Sequence, residues 1–180
     1  MLKETLEVLK ENGIKINNPY KKIVLNDLTK EEGDILYAKN IPEALLFIQN
    51  KALNKTLEEN PFKHTSTMID LSRTAVMNFE FFKETIIKHA LLGYDEVWLY
   101  MEDVFQIETE PKFGYMRGSY SEEELKKMVL FAEKLGITLI PCVQTLGHMS
   151  QFLRWFSSGP YKDTFDVLKV RSDKTYELIN

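Results

Sequence analysis

Thr67-Met-Ile-Asp-Leu-Ser72, Glu96-Val-Trp-Leu-Tyr-Met101 and Ile137-Thr-Leu-Ile-Pro-Cys-Val143 are three versions of one unit. Each is an apolar run that ends in a polar tip: Ser72-Arg73, Glu102-Asp103 and Gln144-Thr-Leu-Gly-His148. A stretch with helical periodicity follows each tip. Strands joined by helical crossovers predict a parallel sheet with helices packed outside it. Parallel strands that each end in a polar residue predict a site shared at their carboxyl ends.

The segments between the runs support that reading. Asn78 is a suitable N-cap for a helix through Leu92, with Phe82, Ile86, Ala90 and Leu91 as its apolar stripe and Gly93 as its stop. The loop from Val104 to Tyr120 is rich in glycine, aromatics and charge, and is longer than a compact domain usually needs. Ser121-Glu-Glu-Glu124 is a capping box, followed by Leu125, Met128, Val129, Ala132 and Leu135 on one helix face. After the third run, Leu146 to Trp155 is predicted helical and Ser157-Ser-Gly-Pro160 breaks it. Phe165 to Val170 is predicted extended, and Ser172 caps a last helix.

Ahead of the first run lies a smaller segment of α+β texture. It contains a helix from Leu2 to Asn12, strands at Lys22–Asn26 and Asp34–Tyr37, and a helix starting near Pro42. Leu45, Ile48, Leu53 and Leu57 keep its helical period, and Asn60-Pro61 is its expected end. The expected domains are therefore 1–62, a small α+β domain, and 63–180, the βα units.

Side chains alternate faces along a strand, which fixes a register. Ile69 and Leu71, then Val97, Leu99 and Met101, then Leu139, Pro141 and Val143 are expected to face helices. The opposite, inner face then carries Met68, Asp70, Ser72, Trp98, Tyr100, Glu102, Thr138, Ile140, Cys142 and Gln144. Polar groups late on an inner face suit a barrel better than an open doubly wound sheet, whose two faces are both apolar.

Composition narrows the function classes. The 180 residues carry a formal net charge of -4 and 44% hydrophobic content, which excludes disorder and a strongly basic nucleic-acid binder. Cys142 is the only cysteine, so no internal disulfide forms, and it reads as a small buried hydrophobe. No basic, apolar leader opens the chain and no run approaches a bilayer span, so a cytoplasmic protein without membrane contact is expected; a secreted protein trimmed of its leader reads the same. His64 and His89 read as linker and helix-surface residues, and no ligand spacing supports a metal or cofactor.

The ordered set Met68-Ile-Asp-Leu-Ser-Arg73, Tyr100-Met-Glu-Asp103, Gly118-Ser-Tyr-Ser-Glu-Glu-Glu124, Leu135-Gly-Ile-Thr-Leu-Ile-Pro141 and Leu146-Gly-His148 resembles the family 20 glycoside hydrolases, the β-N-acetylhexosaminidases. The likeness covers roughly residues 65–155. The chain departs from the family pattern at Glu102, where Asp is usual, at Leu146, where Pro is usual, and at Pro141-Cys-Val-Gln144, where Pro-Glu-Ile-Asp is usual. It looks like a divergent branch.

The resemblance implies a (β/α)8 TIM barrel, represented here by its first three to four βα units after the small α+β segment. It implies that Arg73 binds hydroxyls of a terminal sugar, since its fork of donors suits two oxygens. It also implies that Asp103 and His148 form a pair supporting the catalytic acid. Glu102 is expected to bind sugar or to pair with Arg73. Trp155 is expected either as an aromatic wall for the sugar or as core. The implied reaction is substrate-assisted retaining hydrolysis of terminal β-linked N-acetylglucosamine or N-acetylgalactosamine, with no cofactor.

In that family an Asp-Glu pair performs the chemistry, and no Asp-Glu dipeptide follows His148 here. The pair is expected beyond Asn180. A barrel of this type takes about 250 residues, so the chain reads as a fragment of a longer enzyme, a truncated product or one half of a paired assembly, inactive by itself, whose open edges favour self-association. Two other readings compete: a non-catalytic carbohydrate-binding or assembly module, and an unrelated α/β protein whose tips are ordinary caps and salt bridges.

Overall fold

The computed structural model describes residues 2–56, 60–73 and 75–179. The chain forms two compact units, Met1–Thr67 with Phe79–Val97 and Lys127–Ile140, and Met68–Asn78 with Trp98–Lys126 and Pro141–Asn180.

In the first unit, α1 (Leu2–Glu11) precedes β1 (Lys22–Leu25), β2 (Lys30–Glu32) and β3 (Ile35–Ala38), which form a sheet in the order β1-β3-β2. β1 runs parallel to β3 and β2 antiparallel to it. The sequence pattern does not announce β2, because Lys-Glu-Glu has no apolar alternation, and all three residues are exposed. Its placement comes from a hairpin: Glu32 pairs with Ile35 across the two residues Gly33-Asp34. Leu36, Ala38, Tyr20, Ala44 and Ile48 make the core behind this sheet.

The next helix, α2 (Ile41–Ala52), starts as the proline predicts, with the Asn40 side chain accepting from Glu43 N at 2.8 Å. It stops well before Asn60-Pro61. Asn54 takes a left-handed backbone (φ 53°) and Lys55 N returns to Asn50 O at 2.8 Å, a local C-cap that ends the helix before proline is reached. The expected periodic position Leu57 lies outside the described residues.

α3 (Phe79–Leu91) packs beside α2, and Gln49 Nε2 donates to Leu91 O at 2.9 Å. Its buried side is Phe82, Ile86, Ile87 and Ala90. Gly136, with φ 70°, brings the backbone after α4 (Glu122–Lys134) against α2: a Cβ there would stand 2.7 Å from Ile41 Cβ. Met128, Ala132 and Leu135 are buried as expected, whereas Val129 is exposed.

The second sheet has the order β4-β5-β6: β4 (Ser66–Asp70), β5 (Glu96–Tyr100) and β6 (Thr138–Cys142). Asp95 N bonds Thr65 O at one end and Leu71 N bonds Tyr100 O at the other, so neighbouring strands rise together, in parallel. Leu71, Val97, Leu99 and Met101 are buried, while Met68 (60% exposed) and Trp98 (37%) stand on the other face. The expected register therefore holds in β4 and β5. It fails as a burial pattern in β6, where Pro141 and Val143 are exposed. β6 is an edge strand followed by a one-turn helix, so its outer side has no long helix to cover it.

The expected helix over Leu146–Trp155 is reduced to α5 (Ser150–Leu153). His148 adopts φ 60°, Leu168 N bonds Leu146 O, and Met149 N bonds Asp166 O, so this backbone is satisfied by the 166–168 segment rather than by a helix. Ser157-Ser-Gly-Pro160 lies within a 3-10 helix, Phe156–Tyr161, and α6 (Asp173–Ile179) ends the described chain. The core of the second unit is Phe113, Met149, Phe152, Leu153 and Leu168. Among the described residues no helix is long and apolar enough to cross a membrane.

Candidate functional site

The first tip is built by Asp70. Its carboxylate accepts from Ser72 N at 2.9 Å and Ser72 Oγ at 2.8 Å, so the chain turns immediately after β4. Desolvation is the largest single influence on Asp70 and works against its charge, but the two Ser72 hydrogen bonds together with Arg73 outweigh it and hold the carboxyl below its ordinary range. Ser72 Oγ in turn accepts from Arg73 Nη1 at 2.8 Å. Arg73 Nη1 also donates to Glu102 Oε1, and its guanidinium carbon lies 5.4 Å from the Tyr100 ring centre.

The second tip carries two buried carboxylates in sequence, Glu102 and Asp103. Glu102 sits in the left-handed region (φ 46°), a costly conformation for a residue with a Cβ, and one that recurs at functional positions. Tyr100 Oη donates to its Oε1 at 3.3 Å. Asp103 is 2% exposed. Burial raises its carboxyl above the ordinary range, against the pull of Arg117.

Arg117 comes from the long loop. Its Nη1 stands 2.9 Å from Asp103 Oδ1 and 3.8 Å from Glu102 Oε2, and its Nη2 donates to the Ser72 carbonyl. The approach to Asp103 is off the N–H direction, so charge rather than an aligned hydrogen bond holds that contact. Gly114, with φ 67°, lets the loop close here: a Cβ would stand 2.5 Å from the Asp103 carbonyl and 2.8 Å from Ser119 Cβ. Tyr120 fastens the far end of the loop, its hydroxyl donating to Met77 O at 2.9 Å and its N–H to Val104 O at 3.0 Å.

A cavity of about 590 Å³ lies over these tips. Arg73, Glu102, Arg117, His148, Arg154 and Asp166 supply its charged and polar wall, with Met116 and Phe165 as apolar rim. The structure thus brings together Arg73, Glu102 and His148 of the expected residues. Glu102 takes the Arg73-pairing role of its two expected ones. Asp103 lies behind the wall, and no hydrogen bond or ion pair among the described residues joins it to His148; Arg117 holds its carboxylate instead.

Trp155 does not line the cavity. Tyr115 meets it edge-on at 5.2 Å, and Lys112 Nζ and Arg154 Cζ stand 4.9 and 4.8 Å from its centre. Cations therefore occupy its neighbourhood. Arg154 and Asp166 carry no motif signal; Asp166 is held at the site by Met149 N and Ser150 N, which donate to its carbonyl and carboxylate. Arg117 had a weak one, an arginine between two glycines in an over-long loop. No group of three or more His, Cys, Asp or Glu side chains gathers as metal ligands among the described residues.

The sequence matches no protein-family model and no curated protein. Solved structures do match. A mutant β-hexosaminidase of Streptomyces plicatus in complex with its product GlcNAc aligns with 98% of this chain at a TM-score of 0.69 and 14% identity. The fold is that of a family 20 glycoside hydrolase, over less than half its length. The family 20 β-N-acetylhexosaminidase of Streptomyces coelicolor aligns with 87% at 0.66 and 15% identity. A family 20 exo-β-N-acetylglucosaminidase of Vibrio harveyi in complex with N-acetylglucosamine aligns with 98% at 0.64 and 16% identity. The chain spans 48%, 42% and 38% of these three proteins. Their fold and the ordered motifs point the same way.

Proposed function

We propose that this chain is the sugar-recognising front part of a glycoside hydrolase that removes terminal β-linked N-acetylhexosamine. In this reading residues 1–62 are the small α+β domain and 63–180 supply the first βα units of a (β/α)8 barrel. The observation that carries it is the gathering of Arg73, Glu102 and His148 on one cavity at the carboxyl ends of parallel strands. Barrel enzymes keep their chemistry at that end.

The reaction is substrate-assisted and retaining: the sugar's acetamido oxygen attacks the anomeric carbon while an acid protonates the leaving oxygen. Arg73 donates to two sugar hydroxyls, held in place by Ser72 and Glu102. Orienting the acetamido group and protonating the leaving oxygen need an adjacent aspartate and glutamate. The one Asp-Glu dipeptide of these 180 residues, Asp95-Glu96, begins β5 and is otherwise committed. Asp95 accepts from Thr65 N at 2.6 Å and faces His64 Nδ1 at 2.8 Å. In this reading these 180 residues lack the acid pair and do not turn over alone.

The test is twofold. N-acetylglucosamine should perturb the NMR signals of Arg73, Glu102 and His148, and Arg73→Ala should remove the effect. An aryl N-acetylhexosaminide should stay intact with the isolated chain. Turnover by the isolated chain would refute the missing acid, and a silent cavity would refute sugar recognition. A non-catalytic carbohydrate-binding or assembly module is the second reading, favoured by a cavity wall whose carboxylates, Glu102 and Asp166, are not an adjacent Asp-Glu pair. Pairing of two copies through the exposed Met68 and Trp98 face would support assembly, and sedimentation measures it.

A further inference from the structure

The geometry points to Arg117 as the positioning residue that presets Arg73 for its ligand, by clamping the carboxylate both arginines share. This rests on the sugar-recognition reading only for the identity of the ligand.

Arg73 is more than half exposed along its side chain, and a long exposed side chain does not hold one geometry by itself. What aims it is Glu102, through Oε1. The other oxygen, Oε2, faces Arg117 Nη1 at 3.8 Å. One carboxylate thus lies between two guanidinium groups, each beside a different oxygen, and its rotation is limited from both sides. Arg117 can act as the fixed partner because it is itself anchored. Its side chain is 14% exposed, its Nη2 donates to the Ser72 carbonyl, and Asp103 faces it from the buried side.

Ser72 closes the loop of contacts. Its carbonyl receives Arg117 and its hydroxyl receives Arg73, so one turn after β4 is gripped by both arginines. A planar, delocalised guanidinium can donate to a carbonyl through one nitrogen while its charge lies beside two carboxylates; a lysine ammonium on its flexible stem is not held in that geometry. The buried Asp103 also acquires a reason. It is the counter-charge that keeps Arg117 in the wall, so in this chain Asp103 acts through arginine and leaves the imidazole of His148 on the cavity surface.

The experiment compares wild type, Arg117→Gln and Arg117→Lys by NMR, with N-acetylglucosamine as the probe. In wild type the Arg73 side-chain Nε–H signal should be distinct and slowly exchanging. Arg117→Gln should move it to the free-arginine position and weaken sugar binding about tenfold or more, as expected for losing a charge-assisted contact. Arg117→Lys keeps the charge beside Asp103 and serves as the second variant if the glutamine form does not fold. It should shift the Arg73 signal in the same direction. An unchanged Arg73 signal with unchanged affinity in a folded variant overturns the proposal. If wild type binds no sugar, the functional reading fails, while the Arg73 signal still decides the positioning role.

Discussion

Tyr120 offers the sharpest test of how the site loop is held. It is 4% exposed, and its hydroxyl donates to Met77 O at 2.9 Å, joining the end of the Arg117 loop to the segment after β4. Burial pushes its phenol up from 10.0 to about 12. Tyr120→Phe removes one buried hydrogen bond and should cost about 1 kcal/mol at neutral pH. The wild-type advantage should then reverse in alkali. Between pH 10 and 12 the folded chain keeps a proton that the unfolded chain has lost, so stability falls as pH rises. The loss should be about 1.4 kcal/mol at pH 11 and approach about 2.7 kcal/mol above pH 12, because proton linkage changes stability by about 1.36 kcal/mol for each pH step across that window. The two curves should cross just below pH 11, with the phenylalanine form the more stable by about 1–2 kcal/mol at the top of the range. Urea unfolding from pH 8 to 12 measures this, since about 1 kcal/mol moves the midpoint by roughly 0.5 M. Other alkaline groups, Tyr161 among them, are common to both proteins and cancel. A gap that stays constant across pH would refute the burial of this phenol and with it the account of the loop.

Arg73→Lys should weaken N-acetylglucosamine binding about tenfold or more, because one ammonium cannot offer a planar pair of donors; titration calorimetry reads it. Gly114→Ala should cost about 2–4 kcal/mol, combining a left-handed backbone with a Cβ against the Asp103 carbonyl, whereas Gly13→Ala, with the same backbone region and open space, should cost only about 1 kcal/mol. Equal losses in urea melts would show that the loop does not close on Asp103. Ser121→Ala should cost about 1 kcal/mol, since Ser121 Oγ accepts from Glu124 N at 3.2 Å and Glu124 returns to Ser121 N at 2.8 Å; no change in thermal midpoint would remove the capping box from the account of α4.

Local, repetitive signals were readable in the chain itself. The 2-residue alternation of Val97, Leu99 and Met101 against Trp98 and Tyr100 sets a strand register, because a side chain's face follows from backbone geometry alone. The capping box, the Asn40–Pro42 helix start and the stops at Gly93 and Gly136 are likewise local, and the structure reproduces them. The polar tips were legible for the same reason: Arg73, Glu102 and Asp103 end apolar runs. The order of those motifs also led to the fold that the solved hexosaminidases share.

Where a backbone or a charge is satisfied by a partner distant in sequence, the chain gave no such notice. The stretch over 146–149 looks helical by periodicity, yet its hydrogen bonds go to residues 166–168, and that choice exists only once the two segments meet. β2 has no strand pattern of its own and is a strand because β3 lies beside it. Above all, Asp103 lies against Arg117, fourteen positions on, across a loop closed at Gly114, a pairing that no local pattern announced. The sequence by itself determined which groups arrive at the carboxyl ends of the strands. Tertiary structure decided which of those groups pair, because a buried carboxylate takes the cation that packing delivers to it, and no local pattern encodes that delivery.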